Sequence, residues 1–276
     1  MSFAEATAVS PGATEPPPPH LDRFDVTIAE GWDILGNANG GYVLATIARA
    51  LSATLGRPDP ITVTSHYLRP VSAGPAVVDV ETVRIGRTLA TGTARMSRDG
   101  NPLVEVLGAF GDLGPDGVDP DAPRLLRGEP PELPPVEECI SMASASDAPT
   151  QFSSKIDLRF HPDDLGFVRG QPSGVPRMRG WIRLPEGEPF GTLGVLLAAD
   201  AFPPTVFNAS LPVAWAPTVE LTVHVRARPA PGWLRGTFET WFVSGGRLEV
   251  SGELWDDNDE LVAQSRQIAL VPRPTA

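Results

Sequence analysis

The same order of predicted elements occurs twice in this chain of 276 residues. An apolar helix opens each repeat, within GNANGGYVLATIARALSATLG in the first half and GTLGVLLAADAF in the second. Strands separated by short turns follow each helix, beginning with ITVTSHYLRPV and TVELTVHVRARP. With an offset of 158 residues, Thr64 falls on Thr222 and His66 falls on His224. The repeated order predicts an internal duplication.

A helix that is apolar around most of its circumference must be covered on all sides. The antiparallel strands that follow each helix can supply that cover, so we predict an α+β fold of the double-hotdog type. In this fold, two tandem hotdog repeats each wrap a curved antiparallel sheet around a long central helix. Two unrelated α+β domains are the alternative.

Proline and glycine mark the predicted boundaries of the two repeats. The prolines Pro16 to Pro19 favour an extended approach to the first strand. The predicted organisation is a disordered Pro-rich tail over 1–20, an N-terminal hotdog domain over 21–112, a Pro-, Gly- and Asp-rich linker over 113–150 and a C-terminal hotdog domain over 151–276.

Composition restricts the partners of the chain. The 22 Lys and Arg residues against 34 Asp and Glu residues give a net charge of −12, which disfavours nucleic-acid binding. Cys139 is the only cysteine and the four histidines are scattered, so neither a disulfide nor a metal site is expected. No cofactor is predicted. Because the N terminus lacks a secretory pattern and no run of about 18 apolar residues occurs, we expect a cytoplasmic protein without stable membrane insertion.

Six segments in order carry a resemblance to a known family. They are NGGYVLA (39–45), SHYLRP (65–70) and DVETVRIGRTLATGTARMSRDGNPLVEVLGAF (79–110) in the first half, and LLAADAF (196–202), PTVELTVH (217–224) and LVAQSRQIAL (261–270) in the second. Over most of residues 24–272 the chain resembles the type II acyl-CoA thioesterases, the TesB-like double-hotdog family. The resemblance implies hydrolysis of fatty acyl-CoA to a free fatty acid and CoA. We expect acyl-CoA as the partner and a homo-oligomer of two or more chains.

The resemblance also implies the residues of the site. The family uses an Asp, a Thr and a Gln of the second hotdog to hold and activate the attacking water, and these fall on Asp200, Thr218 and Gln267. The spacing from Asp to Thr is shorter here than is usual in the family. Thr222 is therefore kept as the alternative to Thr218, and Gln264 as the alternative to Gln267.

The chemistry of thioester hydrolysis is compatible with these residues. Apolar neighbours of Asp200 should raise the pKa of its carboxyl and make it a better base near neutral pH. A position on the solvent side, or at the helix end before Pro203, is the alternative for Asp200. Thr218 and Gln267 cannot be bases, but they can orient a water by hydrogen bonds. By strand alternation, Gln267 and Gln264 point to opposite faces of their strand.

Backbone N–H groups at a helix N-terminus are candidates for binding the oxyanion. Gly40 and Gly41 would allow a substrate to approach those groups closely, although they could equally serve only the tight entry into a buried helix. The helix of the second half, which begins near Gly191 to Gly194, could serve instead. Alignment of the two helices places Ile47 where the second half has Asp200. Since an apolar side chain cannot activate water, we expect one functional site per chain.

Two further sets of residues are not expected to be catalytic. His66 and His224 occupy equivalent strand positions, which favours core or interface positions over catalysis. The arginines Arg69, Arg84, Arg87 and Arg226 are candidates for binding CoA phosphates, and nothing in the sequence selects one of them.

Two further functions are compatible with the pattern. A hotdog hydratase or dehydratase acting on enoyl-thioesters would need an acid and a base, for which His66 or His224 would have to be recruited. A non-catalytic protein that binds acyl-CoA would keep the pocket without turnover.

Overall fold

The computed structural model describes residues 1–12, 20–114, 123, 125, 127–145, 150–209 and 211–272. In the first half, the elements are α1 (Phe3–Ala6), β1 (Val9–Pro11), β2 (Leu21–Ile28), β3 (Asp33–Ile34), β4 (Asn37–Ala38), α2 (Gly40–Leu55), β5 (Asp59–Tyr67), β6 (Gly74–Ile85), β7 (Ala90–Arg98) and β8 (Asn101–Gly111).

The second half contains β9 (Ile140–Ser141), α3 (Met142–Ala145), β10 (Asp157–Phe160), β11 (Arg177–Arg183), α4 (Gly191–Ala198), β12 (Thr218–Val225), β13 (Leu234–Glu239), β14 (Val243–Ser244), β15 (Arg247–Trp255) and β16 (Leu261–Leu270). Short 3₁₀ helices lie at Val136–Glu138, Gln151–Ser154, Pro162–Asp164, Gly166–Arg169, Pro185–Gly187 and Thr205–Ala209.

One antiparallel sheet joins both halves. Of the described strands, fourteen belong to it, in the order β1-β2-β6-β7-β8-β5-β12-β16-β15-β13-β11-β10-β9, with β14 attached to β15. Outward from the seam between β5 and β12, equivalent strands follow in the same order on both sides. On one side the order is β5, β8, β7, β6, β2, and on the other side it is β12, β16, β15, β13, β11. The predicted double hotdog is therefore confirmed.

Residues that are equivalent in the duplication meet at the seam. Thr64 is paired with Thr222 between β5 and β12, and the two hydroxyl oxygens are 2.8 Å apart. On either side, His66 is paired with Glu220 and Thr62 with His224. This reciprocal pairing relates the halves by an approximate two-fold axis, as in an isologous dimer.

Helix α2 is the core of the first half. The Asn39 side chain caps it by accepting a hydrogen bond from the Tyr42 N–H at 2.9 Å, and Gly56 ends it in the left-handed conformation. Val43, Ile47 and Leu51 are fully buried, because β2 and β5 to β8 pack around the helix. This burial confirms the prediction that strands cover the apolar helix.

Helix α4 of the second half is shorter than the long central helix predicted for each repeat. It has eight residues against sixteen in α2 and ends at Ala198. Pro203 and Pro204 follow after four residues, and proline restricts the preceding residue to non-helical conformations. Helices α2 and α4 pack against each other, so the end of α4 meets the beginning of α2.

The predicted disordered tail is wrong for residues 1–12, which are ordered. Phe3 is buried with its ring centroid 5.9 Å from that of Trp32, and strand β1 pairs with β2. The Glu188 carboxylate accepts hydrogen bonds from the N–H groups of Phe3 and Ala4, each at 2.9 Å. These contacts fix the chain before the proline run, and Pro16–Pro19 lie outside the described residues.

Part of the predicted linker is also structured. Strand β9 lies within 113–150 and pairs with β10, and α3 follows it directly. A strand of two residues carries too short an alternation to be recognised in sequence. Among the described residues, no helix is both long and apolar enough to cross a membrane.

Candidate active site

The Asp200 carboxylate lies where the end of α4 meets the beginning of α2. Its Oδ2 accepts a hydrogen bond from the Gly41 N–H at 2.9 Å, and its Oδ1 accepts one from Gln267 Nε2 at 3.0 Å. Asn39 Nδ2 donates to the backbone carbonyl of Asp200 at 2.7 Å. Residues of both halves thus hold the carboxylate that the second half supplies.

Gln267 connects Asp200 to Thr218. The same Nε2 that donates to Asp200 also donates to Thr218 Oγ1 at 2.5 Å. Gln267 lies on β16, while Thr218 begins β12 opposite Ala269. The structure therefore brings together the three side chains that the family resemblance implied.

A β-bulge directs Thr218 into the site. Thr222 and Glu220 lie on the outer face of β12, and regular alternation would place Thr218 on that face as well. The register between β12 and β16 shifts between Thr218 and Glu220. An extra residue at a bulge reverses the alternation, so Thr218 reaches Gln267.

Burial raises the pKa of the Asp200 carboxyl to about 6, and hydrogen bonds from Gly41, Gln267 and Gly40 limit the rise. The side chain is half-buried and faces a cavity rather than bulk solvent. A carboxyl with this pKa is ionised at neutral pH and is a stronger base than an exposed aspartate.

A cavity of about 530 Å³ opens in front of these residues. Asp200, Thr218 and Gln267 line it together, and most of the remaining wall is apolar. The volume is within the range of small-molecule sites, and an apolar wall with a few convergent polar groups is their usual composition.

Two residues of the first half also belong to the site, although no role was predicted for them. Besides its contact with Asp200, Asn39 caps α2. Tyr67 donates from its hydroxyl to the Gly40 carbonyl at 2.8 Å. Burial, with a smaller contribution from the Asp200 charge, raises the pKa of Tyr67, so the phenol stays protonated. An Asn before a helical Gly-Gly pair can be recognised in the sequence as a cap. Its contact with Asp200 cannot, because the two residues are 161 positions apart.

Gly40 and Gly41 contact Asp200 and not the oxyanion that the sequence predicted as their partner. Gly41 donates its N–H to Asp200 and therefore does not offer it to an oxyanion. A Cβ at Gly41 would lie 2.5 Å from the Leu196 carbonyl oxygen, and one at Gly40 would lie 2.8 Å from Asp200 Oδ2. Their role in this structure is to let α2 approach Asp200 and to hold its charge at a helix N-terminus.

The alternative site residues lie on the other face of the sheet. Thr222 contacts Thr64 and Glu220, and Gln264 accepts a hydrogen bond from Arg226. His66 and His224 are exposed beside the seam, so neither is a core residue, and an interface position stays a prediction for both. None of these residues lines the cavity.

Of the four candidate arginines, Arg69 is the one that lines the cavity, where its Nη1 donates to the Pro102 carbonyl at 2.6 Å. Arg84, Arg87 and Arg226 lie elsewhere. Cys139 is a buried free thiol. Across the described part of the chain, no three His, Cys, Asp or Glu side chains lie close enough together to hold a metal.

Comparison with known proteins relates both halves to one family. Residues 28–111 match the family model of the acyl-CoA thioesterase N-terminal domain, and residues 136–271 match that of the acyl-CoA thioesterase C-terminal domain. A solved structure from Thermobifida fusca, assigned as a thioesterase II, is 30% identical with a TM-score of 0.85, and the match covers 98% of this chain and 97% of that chain.

Two further relatives extend over nearly the whole chain. The tesB protein of Mycobacterium avium subspecies paratuberculosis is 18% identical and has the same fold, with a TM-score of 0.74 over 98% of each chain. An uncharacterised protein of Mycobacterium tuberculosis is 26% identical over 98% of both sequences.

Proposed function

Because the chain belongs to the acyl-CoA thioesterase family, with both domains of the family present, we propose that it hydrolyses fatty acyl-CoA to a free fatty acid and CoA. The observation that carries this proposal is the position of Gln267 Nε2, which bridges Asp200 and Thr218 at one wall of an apolar cavity. An acyl chain would occupy the apolar part of the cavity while its thioester lies against the polar wall.

In the proposed mechanism, Asp200 is the general base. It accepts a proton from a water whose oxygen attacks the thioester carbonyl carbon. Thr218 and Gln267 orient that water, and Thr218 can donate its hydroxyl proton to the negative charge that develops on the carbonyl oxygen, because both Nε2 protons of Gln267 are already donated to Asp200 and Thr218. Collapse of the tetrahedral intermediate breaks the C–S bond, and the departing sulfur takes the proton that Asp200 accepted, so that CoA leaves as the thiol and the carboxylate is regenerated. No covalent bond to the protein forms.

The test is release of free thiol and fatty acid from a series of straight-chain acyl-CoAs. Gln267→Ala should lower kcat on the order of 10-fold to 100-fold, since it removes the contact between Asp200 and Thr218. Gln264→Ala is the matched control on the same strand and should retain wild-type kcat. Equal losses in the two variants, or no thiol release by the wild type, would contradict the proposal.

Arg69 is the proposed contact for the CoA phosphates. Its guanidinium is anchored at the cavity wall in a chain whose net charge of −12 otherwise repels an anionic substrate. Arg69→Ala should raise KM for acyl-CoA and leave KM unchanged for an acyl-pantetheine, which lacks the phosphates. Arg84→Ala is the control for loss of a surface charge. Unchanged KM for acyl-CoA in Arg69→Ala would exclude this role.

The other candidate functions are outcomes of the same assays. Loss of the enoyl absorbance of crotonyl-CoA without thiol release would indicate a hydratase, although His66 and His224 lie away from the cavity. Tight acyl-CoA binding without turnover would indicate a binding protein.

We also propose a homo-oligomer of two or more chains in the cytoplasm. An apolar hairpin tip supports the oligomer, since Trp241 and Phe242 are each 66% exposed and Val243 is 47% exposed. Light scattering of the wild type and of a Trp241→Ser, Phe242→Ser variant tests it. A monomeric wild type would contradict it.

A further inference from the structure

Two phenylalanines in mutual contact form one wall of the cavity in the second half. Phe202 follows Asp200 by two residues, and its ring centroid is 4.6 Å from that of Phe238 on β13. Phe160 meets Phe202 edge-on from behind at 5.8 Å and does not line the cavity. The cavity therefore ends at Phe202 and Phe238 in this direction, and more aromatic core lies beyond them.

The sheet register gives the distance from the polar wall to this aromatic wall. Gln267 on β16 is paired with Val250 on β15, and Phe238 on β13 is paired with Gly252 on β15. Phe238 is therefore two strands away from Gln267, which is roughly 10 Å across the sheet. Val250 lines the cavity between them, so this part of the wall is apolar.

Glycines in the sheet set the position of both rings. A Cβ at Gly236 would lie 2.6 Å from Phe202 Cζ, and a Cβ at Gly252 would clash with the Phe238 ring. Both rings thus pack directly on the backbone of the sheet, and no side chain at position 236 or 252 displaces them into the cavity. The Phe202 contact involves the far end of a side chain, so a methyl group at position 236 would push the ring toward the cavity.

We propose that Phe202, which packs on Gly236 and against the Phe238 ring, limits the length of the acyl chain that the cavity accepts. This inference rests on the proposed acyl-CoA thioesterase function. Phe202 is in this view a residue that determines specificity, because the end of the acyl chain meets its ring while the thioester lies at Asp200.

Two substitutions with opposite expected effects test the proposal. Phe202→Ala opens the space toward Phe160 and should move the maximum of kcat/KM to longer acyl chains, with a gain of roughly fourfold for each additional methylene accommodated. Gly236→Ala displaces the ring into the cavity and should move the maximum to shorter chains. Phe24→Ala, a truncation of a half-buried phenylalanine on β2 away from the cavity, is the matched control and should keep the wild-type profile.

The experiment compares kcat/KM for acyl-CoAs from butyryl to palmitoyl in all four proteins, and calorimetric affinities for the corresponding fatty acids. Opposite shifts in Phe202→Ala and Gly236→Ala support the proposal. Active variants with the wild-type chain-length profile in both measurements overturn it. If the wild type releases no thiol from any substrate, the thioesterase function fails, and the fatty-acid affinities still decide whether Phe202 is the limiting wall.

Discussion

Asn39 of the first half donates a hydrogen bond to the backbone carbonyl of Asp200 in the second half, at 2.7 Å, and its Nδ2 lies 3.4 Å from the carboxylate Oδ2. The same side chain caps α2 through Oδ1. One residue therefore couples the beginning of the long helix to the proposed catalytic base. The site depends on both halves of the duplication, although only the second half supplies the carboxylate.

Asn39→Asp separates these two roles. Aspartate is as good a cap as asparagine, so the cap of α2 should be kept, whereas loss of the hydrogen bond from Nδ2 to the Asp200 carbonyl should lower the free energy of unfolding by about 1–3 kcal/mol. A second carboxylate beside Asp200 should raise the pKa of Asp200 by about one unit, because like charges disfavour ionisation. The acid limb of the profile of kcat/KM against pH should therefore move to higher pH. Asn37→Asp adds the same charge to the cavity wall without touching Asp200, and an equal shift there would show that Asn39 has no special position.

The wild-type pH profile follows from the Asp200 pKa of about 6. The base must be ionised to accept a proton, so kcat/KM should be constant above this pH and fall about tenfold for each pH unit below it. Fatty-acid release should be measured by chromatography, because the signal of a thiol reagent itself depends on pH. A profile that is flat down to about pH 4 would exclude Asp200 as the base.

The raised pKa also predicts how stability varies with pH. The pKa of the Asp200 carboxyl is 3.8 in the unfolded chain and about 6 in the folded chain. The contribution of this group to stability is therefore fully present below pH 3.8 and is lost as the pH rises through 6. Asparagine does not titrate. From about pH 4 to about pH 8, the free energy of unfolding of Asp200→Asn should rise relative to the wild type by about 2 kcal/mol.

Urea unfolding curves at several pH values measure this difference. A difference between the two proteins that is independent of pH, or that increasingly favours the wild type as the pH rises, would contradict the burial of a charged Asp200.

Gly41→Ala should reduce both stability and activity. Its Cβ would meet the Leu196 carbonyl oxygen and the Leu197 Cα, which are backbone atoms of α4 that cannot move separately from the helix. We expect a loss of about 1–3 kcal/mol in the free energy of unfolding. Gly40→Ala meets the ends of the Asp200 and Tyr67 side chains and should cost less stability. Thermal or urea unfolding compares the two, and the reverse order would contradict the proposed close packing of α2 on α4.

Much of this architecture is predictable from the sequence. The duplication is visible because both halves place an apolar helix before alternating strands, and in the folded protein Thr64 and Thr222 meet at the axis between them. The opposite orientations of Gln267 and Gln264 follow from strand alternation alone. The ordered N-terminal segment is not predictable, because its docking depends on Glu188, far away in sequence.

Other parts of the site depend on tertiary geometry. Thr218 and Thr222 are separated by an even number of residues, so regular strand alternation would place both on the same face of β12. Only the bulge between Thr218 and Glu220 explains why Thr218 faces the cavity instead. The partner of the Gly41 N–H was likewise not predictable, because Asp200 approaches α2 from the other half. Local patterns indicate which residue types are present, whereas the approach of the two helices decides which of them meet.

The role of Asp200 as the catalytic base is decided by the rate of acyl-CoA hydrolysis in the Asp200→Asn variant. The variant keeps the size of the side chain and removes its ability to accept a proton. With folding verified by circular dichroism and substrate binding by calorimetry, kcat measured as fatty acid released should fall on the order of 100-fold to 10,000-fold, while affinity for acyl-CoA is retained. A folded Asp200→Asn protein that hydrolyses acyl-CoA at the wild-type rate would show that Asp200 is not the catalytic base.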